Sequence, residues 1–346
     1  MKAAITFGPR DIRVEEVPIP RIDEGEVLVK VKAVGICGSD LHYHRKESIN
    51  RKPPFIAGHE VSGEIVEIGG KVTNLYVGER VAIEPLQICG KCDYCRQLRY
   101  NLCVDIQRLA GGFAEYAKFP AYCVHRIPEK ISFEEAAFIE VMAVGLHTLD
   151  IQQIKLGDNV LIVGDGPVGL TICRLCVLSG VHRVGVAGLN ERALHVAREI
   201  GVDKVFNLGL NKRPLVEMEI GFKPDIIFEC VGGFSQVAEE IAQILPKGGK
   251  IVVVGIFKRL QSLDFALLTS KEAEIKFSSC FATRGGVPNF ELATDLVVNQ
   301  KVTVDKLITH RFSLYETPKA FDTLLNNKQH GIIKAIVLPD HKNEQL

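Results

Sequence analysis

Residues 159–169 read NVLIVGDGPVG, and the stretch 170–179 after them is an apolar, helix-forming run. An apolar strand, a G-x-G-x-x-G turn and a helix in succession open a βαβ unit. Gly164 permits the tight turn, Gly166 lets the backbone approach a pyrophosphate, and Gly169 packs helix against strand. The pyrophosphate then rests on the free N–H groups of the helix N-terminus. This stretch therefore predicts a parallel sheet that binds a dinucleotide.

The same alternation continues to about residue 255. Short apolar runs that read as strands are separated by helical stretches, the strands at 183–187, 204–207, 225–230 and 250–255 and the helices at 191–200 and 234–245. Strands that alternate with helices in this way are typical of the α/β class. We therefore predict a doubly wound parallel sheet for the middle of the chain.

The two flanks of this region look different. Residues 1–125 are β-rich, with period-two alternation at 26–33 and similar runs at 61–69, 80–84 and 112–118. They resemble a small, irregular barrel with long loops. The stretch from residue 285 returns to mixed elements, with helices at 289–299 and 316–326 and strands near 308–311 and 332–338. A chain of 346 residues exceeds what one core usually supports, so we expect two domains.

Composition excludes several classes of partner. Forty-two basic residues balance forty-two acidic ones without a basic stripe, so nucleic acid and anionic membranes are poor partners. No apolar run is long enough to cross a bilayer. The N-terminal residues read as a strand and not as a signal peptide, so the cytoplasm is the expected compartment. In that compartment the ten cysteines favour metal thiolates over disulfides.

Four of the cysteines lie in one loop. Cys89, Cys92, Cys95 and Cys103 have the spacing C-x2-C-x2-C-x7-C. Four thiolates this close can close a tetrahedral shell around one Zn²⁺ and leave no position for water. Such a zinc folds the loop and does no chemistry. We therefore predict a structural zinc site here.

A second group combines three types of donor. Cys37 lies in GICGSDLH, and His59 and Glu60 lie in AGHE, with glycines beside both segments. A thiolate, an imidazole and a carboxylate together suit Zn²⁺. Three protein ligands leave a fourth position open, which a catalytic zinc requires. These residues predict a second, catalytic zinc site.

The zinc site, the four-cysteine loop and the glycine turn, in this order, resemble the zinc-dependent medium-chain dehydrogenases, in their sorbitol (polyol) and threonine dehydrogenase branch. The phrases that support the likeness lie at 34–42, 58–63, 137–147 and 248–255. The resemblance implies a GroES-like, β-rich catalytic domain from residues 1–148 and 285–346. A Rossmann domain of residues 149–284 is then inserted into it, with the active site in the cleft.

The resemblance also assigns roles to single residues. Ser39 matches the hydroxyl that takes the alcohol proton, His42 the relay to solvent, and Glu140 a carboxylate that approaches the metal directly or through water. The implied substrate pocket contains Tyr43, Cys280 and Phe281. The implied cofactor-binding positions are Gly164, Gly166, Pro167, Val168, Gly169, Gly188, Asn190, Arg192, Val254 and Lys334, the last at the cofactor phosphates. Ser39 as a helix cap and Glu140 as an ordinary helix-face carboxylate stay open as alternatives.

Two positions depart from the family pattern. Gly188 stands where an acidic residue would bind the adenosine ribose, so nothing there repels a 2′-phosphate. Asn190 and Arg192 could bind that phosphate, or Glu191 could serve the ribose, so NAD and NADP both stay open. Cys280 and Phe281 replace the Arg-Tyr pair with which sorbitol dehydrogenases hold polyol hydroxyls.

The resemblance predicts a zinc-dependent alcohol dehydrogenase that moves hydride between NAD(P) and a secondary hydroxyl of a polyol, sugar alcohol or sugar acid. One alternative is a threonine-type dehydrogenase of hydroxy amino acids. Another, of a different class, is a non-catalytic nucleotide-binding sensor or structural protein. The likeness further implies a homodimer or homotetramer, formed through the strand near 274–279.

Overall fold

The computed structural model describes residues 1–45, 52–209, 214–326 and 330–340. The chain divides into two compact units. The first comprises Met1–Glu140, Gly285–His330 and Lys334–Leu346, and the second comprises Val141–Arg284 and Gly331–Ile333. Among the helices of the described residues, none has the length and apolar character needed to cross a membrane.

The described residues include twenty strands and ten α-helices. The strands are β1 (Lys2–Gly8), β2 (Asp11–Glu16), β3 (Glu26–Gly35), β4 (Phe55–Ile56), β5 (Glu60–Ile68), β6 (Arg80–Ile83), β7 (Leu86–Gln87), β8 (Gln107–Arg108), β9 (Tyr116–Pro120), β10 (Val124–Arg126), β11 (Asn159–Val163), β12 (Arg183–Gly188), β13 (Lys204–Asn207), β14 (Ile226–Glu229), β15 (Lys250–Val253), β16 (Glu274–Phe277), β17 (Thr283–Arg284), β18 (Val287–Pro288), β19 (Ile308–Ser313) and β20 (Lys334–Leu338). The helices are α1 (Gly38–His44), α2 (Asp93–Arg96), α3 (Phe133–Ala137), α4 (Ile139–Gln152), α5 (Pro167–Leu178), α6 (Glu191–Ile200), α7 (Val237–Ile244), α8 (Phe265–Ser270), α9 (Asn289–Val298) and α10 (Thr317–Leu325).

The second unit is built on a six-stranded sheet in the order β13-β12-β11-β14-β15-β16. Every neighbouring pair in it is parallel. Numbered from β11, this order is 3-2-1-4-5-6, the doubly wound arrangement that binds dinucleotides where the order reverses. The residues of β14 are buried throughout, as strands covered on both faces require. The predicted α/β sheet is confirmed.

The glycine turn joins β11 to α5 as its sequence predicts. Gly164 has φ +120°, a conformation that a residue with a side chain rarely adopts. Pro167 then occupies the first turn of α5, where its missing N–H costs nothing. A Cβ on Gly169 would lie 2.0 Å from the carbonyl oxygen of Gly164, so only glycine lets the helix approach the turn.

In the first unit, both ends of the chain contribute to one seven-stranded sheet. Its strand order is β10-β6-β5-β3-β20-β19, and β9 also pairs with β3. The C-terminal strand β20 lies antiparallel to the N-terminal strand β3, with Ile336 opposite Gly35. Smaller sheets (β2-β1-β4 and β7-β8) flank it. This pairing explains how residues after 285 return to the N-terminal unit.

The division between the units differs slightly from the predicted boundary after residue 148. It falls after Glu140, near the start of α4. The rest of α4 belongs to the second unit and packs closely against α5. A Cβ on Gly145 would lie only 2.6 Å from the side chain of Thr171 on α5. Gly331–Ile333 also belong to the second unit, where Ile332 accepts a hydrogen bond from the Asn190 side chain at 3.2 Å.

Element bounds follow the predictions closely, with one clear exception. The strand predicted at 112–118 is observed as β9, which begins only at Tyr116. The preceding residues leave the ladder because Gly112 and Phe113 donate their N–H groups to the loop carbonyls of Gly58 and Ala57. Alternation of apolar residues does not reveal such loop bonds, so the prediction started the strand too early.

We expect Gly169→Ala to lower the free energy of unfolding by about 1–3 kcal/mol, because its Cβ overlaps backbone that cannot rotate aside. Gly166→Ala is the matched control, since no atom lies within 4 Å of a Cβ at that position. It should retain the stability of the unmodified chain within about 0.5 kcal/mol. Urea denaturation of both variants measures the difference. Equal stabilities would contradict the close approach of helix and turn.

Candidate active site and zinc-binding residues

The first unit brings together the three predicted ligands of the catalytic zinc. Cys37 is the N-cap residue of α1, and Glu60 is the first residue of β5, with His59 directly before it. One donor atom from each residue lies within 4.8 Å of the other two. Zinc bonds of about 2.0–2.3 Å to sulfur, nitrogen and oxygen fit a group of this size after small adjustments. The donor set and its spacing therefore fit Zn²⁺.

A glycine on the neighbouring strand makes room for the carboxylate. Gly35 lies directly opposite Glu60 in the β3–β5 ladder. A Cβ on Gly35 would lie 1.8 Å from Oε2 of Glu60 and 2.8 Å from the Lys334 side chain. No larger residue fits there while Glu60 keeps its position. The site therefore depends on Gly35 as much as on its ligands.

Asp40 connects two of the ligands and was missed as a site residue in the sequence. Its Oδ2 accepts a hydrogen bond from the backbone N–H of Cys37 at 3.0 Å, as part of the capping box of α1. Its Oδ1 lies 3.8 Å from Nδ1 of His59. A carboxylate beside a ligand histidine orients the ring and raises its basicity. The only sequence signal is an acidic residue three positions after a helix-capping cysteine.

Lys334 supplies the positive charge of the site. Its side chain is 2% exposed, forms an ion pair with Glu60 and donates to the carbonyl of Ile36 at 3.0 Å. Glu60 itself is 1% exposed. Burial lowers the pKa of Lys334, but Glu60 and Cys37 outweigh burial and raise it above its usual range. The sequence predicted contact with cofactor phosphates at Lys334, whereas in this placement the ammonium group neutralises Glu60, one of the predicted zinc ligands.

The electrostatics of the group favour a bound cation. Burial lowers the pKa of His59, but Cys37, Asp40 and Glu140 around it raise that pKa well above its usual range. Burial raises the pKa of Glu140 to about 7, and Glu60 adds to the rise. Without a metal, the negative groups therefore favour the protonated form of His59, and burial favours the protonated form of Glu140. A divalent cation satisfies the same field, which supports the fit to zinc.

Glu140 lies close to the ligands without joining them. Among the described residues, the donors within 4.8 Å of one another are Cys37, His59 and Glu60, and Glu140 is not part of that group. It nevertheless influences the pKa values of His59 and Lys334. This placement agrees with a carboxylate beside the metal position, and it leaves direct ligation a prediction.

The predicted proton-transfer residues lie on α1, directly after the ligand Cys37. Ser39 is exposed, and His42 follows three residues later, so both lie on one face of the helix. Tyr43 packs edge-on against Phe55, with ring centroids 4.8 Å apart. The capping alternative for Ser39 is not observed, because Cys37 is the N-cap residue of this helix.

The four-cysteine loop forms a second candidate metal centre in the first unit. All four sulfur atoms lie within 4.8 Å of one another, with Cys92–Cys95 and Cys103–Cys89 at 3.5 Å and Cys89–Cys95 at 4.0 Å. The edges of a tetrahedron with Zn–S bonds of about 2.3 Å measure about 3.8 Å. Backbone N–H groups of Cys95 and Val104 lower the pKa of Cys92 to about 6, which favours a thiolate. The predicted structural site fits Zn²⁺.

The second unit holds most of the predicted cofactor residues. No atom lies within 4 Å of a Cβ on Gly166, and α5 begins there without a side-chain cap, with Pro167 and Val168 in its first turn. The open space and uncapped helix N-terminus fit a pyrophosphate. Val254 donates its N–H to Glu229 at 2.9 Å.

Asn190 and Arg192, the two residues predicted to bind a 2′-phosphate after β12, have different surroundings in the structure. Asn190 caps α6, because its Oδ1 accepts from the N–H groups of Arg192 and Ala193. Its side-chain amide donates to Ile332. The side chain of Asn190 is therefore committed to the fold, and its predicted contact with a 2′-phosphate does not fit this placement. Arg192 is exposed beside Gly331.

The two predicted substrate residues of the second unit also differ. Cys280 is half-buried and has φ +54°, in the left-handed region. Phe281 is fully buried at 0% exposure. A side chain without accessible surface has nothing to offer a substrate, so its predicted role in the pocket does not agree with the structure. Arg284 forms an ion pair with Asp150 at 3.2 Å.

Two family models match the chain. Residues 23–129 match the alcohol dehydrogenase GroES-like domain, and residues 167–299 match the zinc-binding dehydrogenase domain. Sorbitol dehydrogenase of Bacillus subtilis strain 168 is 33% identical over 98% of this chain and 98% of its own. Sorbitol dehydrogenase of Bos taurus is 34% identical over 92% of this chain and 91% of its own.

Solved structures resemble the chain over nearly its full length. A zinc-binding dehydrogenase from Sinorhizobium meliloti 1021 bound to NADP has a TM-score of 0.87 at 29% identity, covering 98% of this chain and 99% of its own. Galactitol-1-phosphate dehydrogenase from Escherichia coli has a TM-score of 0.86 at 29% identity, and the match covers 98% of this chain and 100% of its own. An alcohol dehydrogenase from E. coli CFT073 complexed with NADH has a TM-score of 0.87 at 30% identity, and the match covers 98% of this chain and 99% of its own.

These matches and the two zinc-type groups define the class. The chain belongs to the zinc-dependent medium-chain alcohol dehydrogenases, in their sorbitol (polyol) branch. It is an NAD(P)-dependent enzyme with a GroES-like and a Rossmann-type domain. The predicted fold class, cofactor class and enzyme class are confirmed.

We expect Lys334→Met to lower the free energy of unfolding of the metal-free protein by about 3–5 kcal/mol, because it leaves the Glu60 carboxylate buried without its cationic partner. Lys32→Met is the matched control, since Lys32 pairs with Asp340 near the surface. Its cost should stay below about 1 kcal/mol. Urea denaturation of both variants in the presence of a chelator, with the unmodified chain in the same buffer as reference, measures both changes in the free energy of unfolding. Equal costs would show that Lys334 does not stabilise Glu60.

Proposed function

We propose that this chain oxidises a secondary hydroxyl of a polyol, sugar alcohol or sugar acid, with NAD(P) as the hydride acceptor and Zn²⁺ at Cys37, His59 and Glu60. The observation that supports this most is the donor group itself: three donors within 4.8 Å, surrounded by charges that favour a cation. Three protein ligands leave one coordination position for a substrate oxygen.

Zinc, when bound at this group, supplies a Lewis acid that lowers the pKa of an alcohol hydroxyl. The residues of the chain do the rest. Ser39 accepts the hydroxyl proton, and His42 passes it to solvent from the same face of α1. An imidazole suits this relay because its ordinary pKa lies near neutral pH. Glu140 supports the metal from outside the ligand group.

The second unit holds the cofactor in this proposal. The N–H groups at the start of α5, in the turn Gly164–Gly169, bind the pyrophosphate. A nicotinamide cofactor bound there would supply the acceptor for the hydride of the alcohol carbon. The protein's contribution is to fix the cofactor at the carboxyl ends of β11 and β14, where the strand order reverses.

The substrate class rests on the named relatives. Sorbitol dehydrogenases at 33–34% identity and a galactitol-1-phosphate dehydrogenase at 29% act on polyols by name. Tyr43 and Cys280 are the accessible candidates for substrate contact. Because Cys280 and the buried Phe281 stand in place of the Arg-Tyr pair of sorbitol dehydrogenases, we expect a substrate other than sorbitol itself to react fastest.

The proposal is tested by measuring turnover of a panel of substrates with NAD and with NADP. The absorbance of the reduced nicotinamide reports the rate. We expect activity on free polyols, phosphorylated polyols or sugar acids. Ser39→Ala should lower kcat by about 10²–10⁴-fold at unchanged zinc content, because the proton has lost its acceptor. Ser179→Ala, an exposed serine at the end of α5, is the matched control and should leave kcat unchanged.

Metal analysis separates the two zinc sites in the same experiment. Cys37→Ser should lose one of two zinc ions together with the activity, whereas Cys103→Ser should lose one zinc ion and thermal stability. Activity on threonine alone would replace the polyol proposal. Unchanged turnover of Cys37→Ser would contradict the zinc-dependent mechanism.

We also propose a cytoplasmic homodimer or homotetramer that assembles through β16. This strand ends the six-stranded sheet, and Phe277 on it is 72% exposed. Ser278 donates its N–H to Val253 of β15, so the N–H of Phe277 points to the free edge. Sedimentation velocity should give a dimer or tetramer, and Phe277→Pro should shift it toward monomer by blocking edge pairing. A monomeric unmodified chain would contradict this assembly.

A further inference from the structure

One residue of the glycine turn has a role that the family pattern does not assign. Asp165 lies between Gly164 and Gly166, and its side chain turns toward the end of β12. Its Oδ2 accepts hydrogen bonds from the backbone N–H groups of Leu189 at 2.8 Å and Asn190 at 2.6 Å. The turn after β11 is therefore tied to the turn after β12 by a carboxylate.

The carboxylate fills the space that a side chain at position 188 would need. A Cβ on Gly188 would lie 2.2 Å from the carboxyl carbon of Asp165, 2.3 Å from its Oδ2 and 2.4 Å from its Cβ. Asp165 and a side chain at 188 therefore exclude each other. Gly188 is the residue that accommodates Asp165, and the acidic group at this place reaches it from the neighbouring strand.

The location matters because of what binds there in dinucleotide-binding sheets. An acidic side chain at the end of the second strand accepts hydrogen bonds from the adenosine ribose and repels a 2′-phosphate. In this chain the second strand is β12, and position 188 carries no side chain. The negative charge at its end comes from Asp165 instead.

Backbone N–H groups stabilise this charge by hydrogen bonds and do not neutralise it as a cation would. Asn190 is used by the α6 cap and by Ile332. Glu191 accepts from Arg198 and Asn207 on the surface. Burial raises the pKa of Asp165, and hydrogen bonds from the backbone N–H groups of Asn190, Asp165 and Leu189 oppose that rise. Arg192, exposed beside Gly331, is the cation that competes for a 2′-phosphate.

We propose that Asp165 is the specificity-determining residue for the cofactor: its carboxylate, placed at the end of β12 by Gly188, selects NAD over NADP. This inference rests on the NAD(P)-dependent function and extends it. The likeness to solved structures leaves the choice open, because one relative at 29% identity is bound to NADP and one at 30% is complexed with NADH.

Calorimetric titration of the zinc-loaded protein with NAD⁺ and with NADP⁺ tests the proposal without relying on turnover. The unmodified chain should bind NAD⁺ at least about tenfold more tightly, because a 2′-phosphate would approach a fixed negative charge. Asp165→Asn keeps the shape of the side chain and an oxygen that accepts from Leu189 and Asn190, but it removes the charge. It should lower the NAD⁺/NADP⁺ affinity ratio by about tenfold.

A relocation variant separates specificity from loop structure. Asp165→Gly combined with Gly188→Asp moves the carboxylate onto β12 itself. Glycine is needed at 165 because even the Cβ of Asp165 lies 2.4 Å from a Cβ at 188. This double variant should recover the preference for NAD⁺, whereas Asp165→Gly alone should lose it.

Three results would overturn the proposal. An unchanged affinity ratio in Asp165→Asn, with only the melting temperature lowered, would show that Asp165 merely fastens the two turns. Tighter binding of NADP⁺ by the unmodified chain, lost in Arg192→Ala, would assign the choice of cofactor to Arg192. Binding of neither dinucleotide would remove the proposed function along with this inference, which distinguishes it from the first two results.

Discussion

Burial of negative charge in a small volume is the constraint on which the first unit depends. Cys37, Glu60, Glu140 and Asp40 all influence the pKa values of their neighbours, and Lys334 is the buried cation among them. Removing ions from water costs several kcal/mol each unless partners compensate. Lys334 compensates one carboxylate, and the raised pKa values of His59 and Glu140 mean that protons on these two residues would compensate part of the rest. A zinc ion would replace those protons, so the fold holds the geometry of the site at a cost that the metal offsets. The two ends of the chain are joined at this point, since Lys334 begins β20 and β20 pairs with β3.

The second unit also places carboxylates in partly or fully buried positions, and two of them are stabilised by backbone N–H groups. Asp165 and Glu229 are carboxylates at the ends of β11 and β14, and backbone N–H groups satisfy both. Hydrogen bonds from N–H groups favour the ionised form, whereas burial opposes it, and burial raises the pKa of both residues. These carboxylates stiffen the loops at the carboxyl ends of the sheet, which is the edge where a dinucleotide binds. The same carboxylates therefore fix the loops at this edge of the sheet and determine its charge.

Most of the fold could be predicted from the sequence because its signals are local. Period-two alternation marked β3 and β5, apolar runs marked β11 and β14, and the glycine turn marked the start of α5 within a few residues. The two cysteine-containing groups were recognisable from spacing and donor type, and the structure brings each of them within 4.8 Å. The roles of Asp40, Lys334 and Asp165 were not recognisable, because each depends on a side chain's partner on another segment. Periodicity indicates which face a residue occupies, but it says nothing about which charged group lies opposite.

Glycines explain much of what the sequence concealed. Gly35, Gly188 and Gly255 each end or follow a strand, and a Cβ on each would meet a carboxylate oxygen: Glu60 at 1.8 Å, Asp165 at 2.3 Å and Glu229 at 2.6 Å. Read alone, Gly188 is a missing acidic residue, and that reading left NAD and NADP both open. Read with its neighbour, it is the space that a carboxylate from another strand requires. An absent side chain at the end of a strand is therefore not evidence that the charge is absent. In parallel and mixed sheets the neighbouring strand end lies about 4.8 Å away, so a single side chain can cross that distance and supply the charge from there.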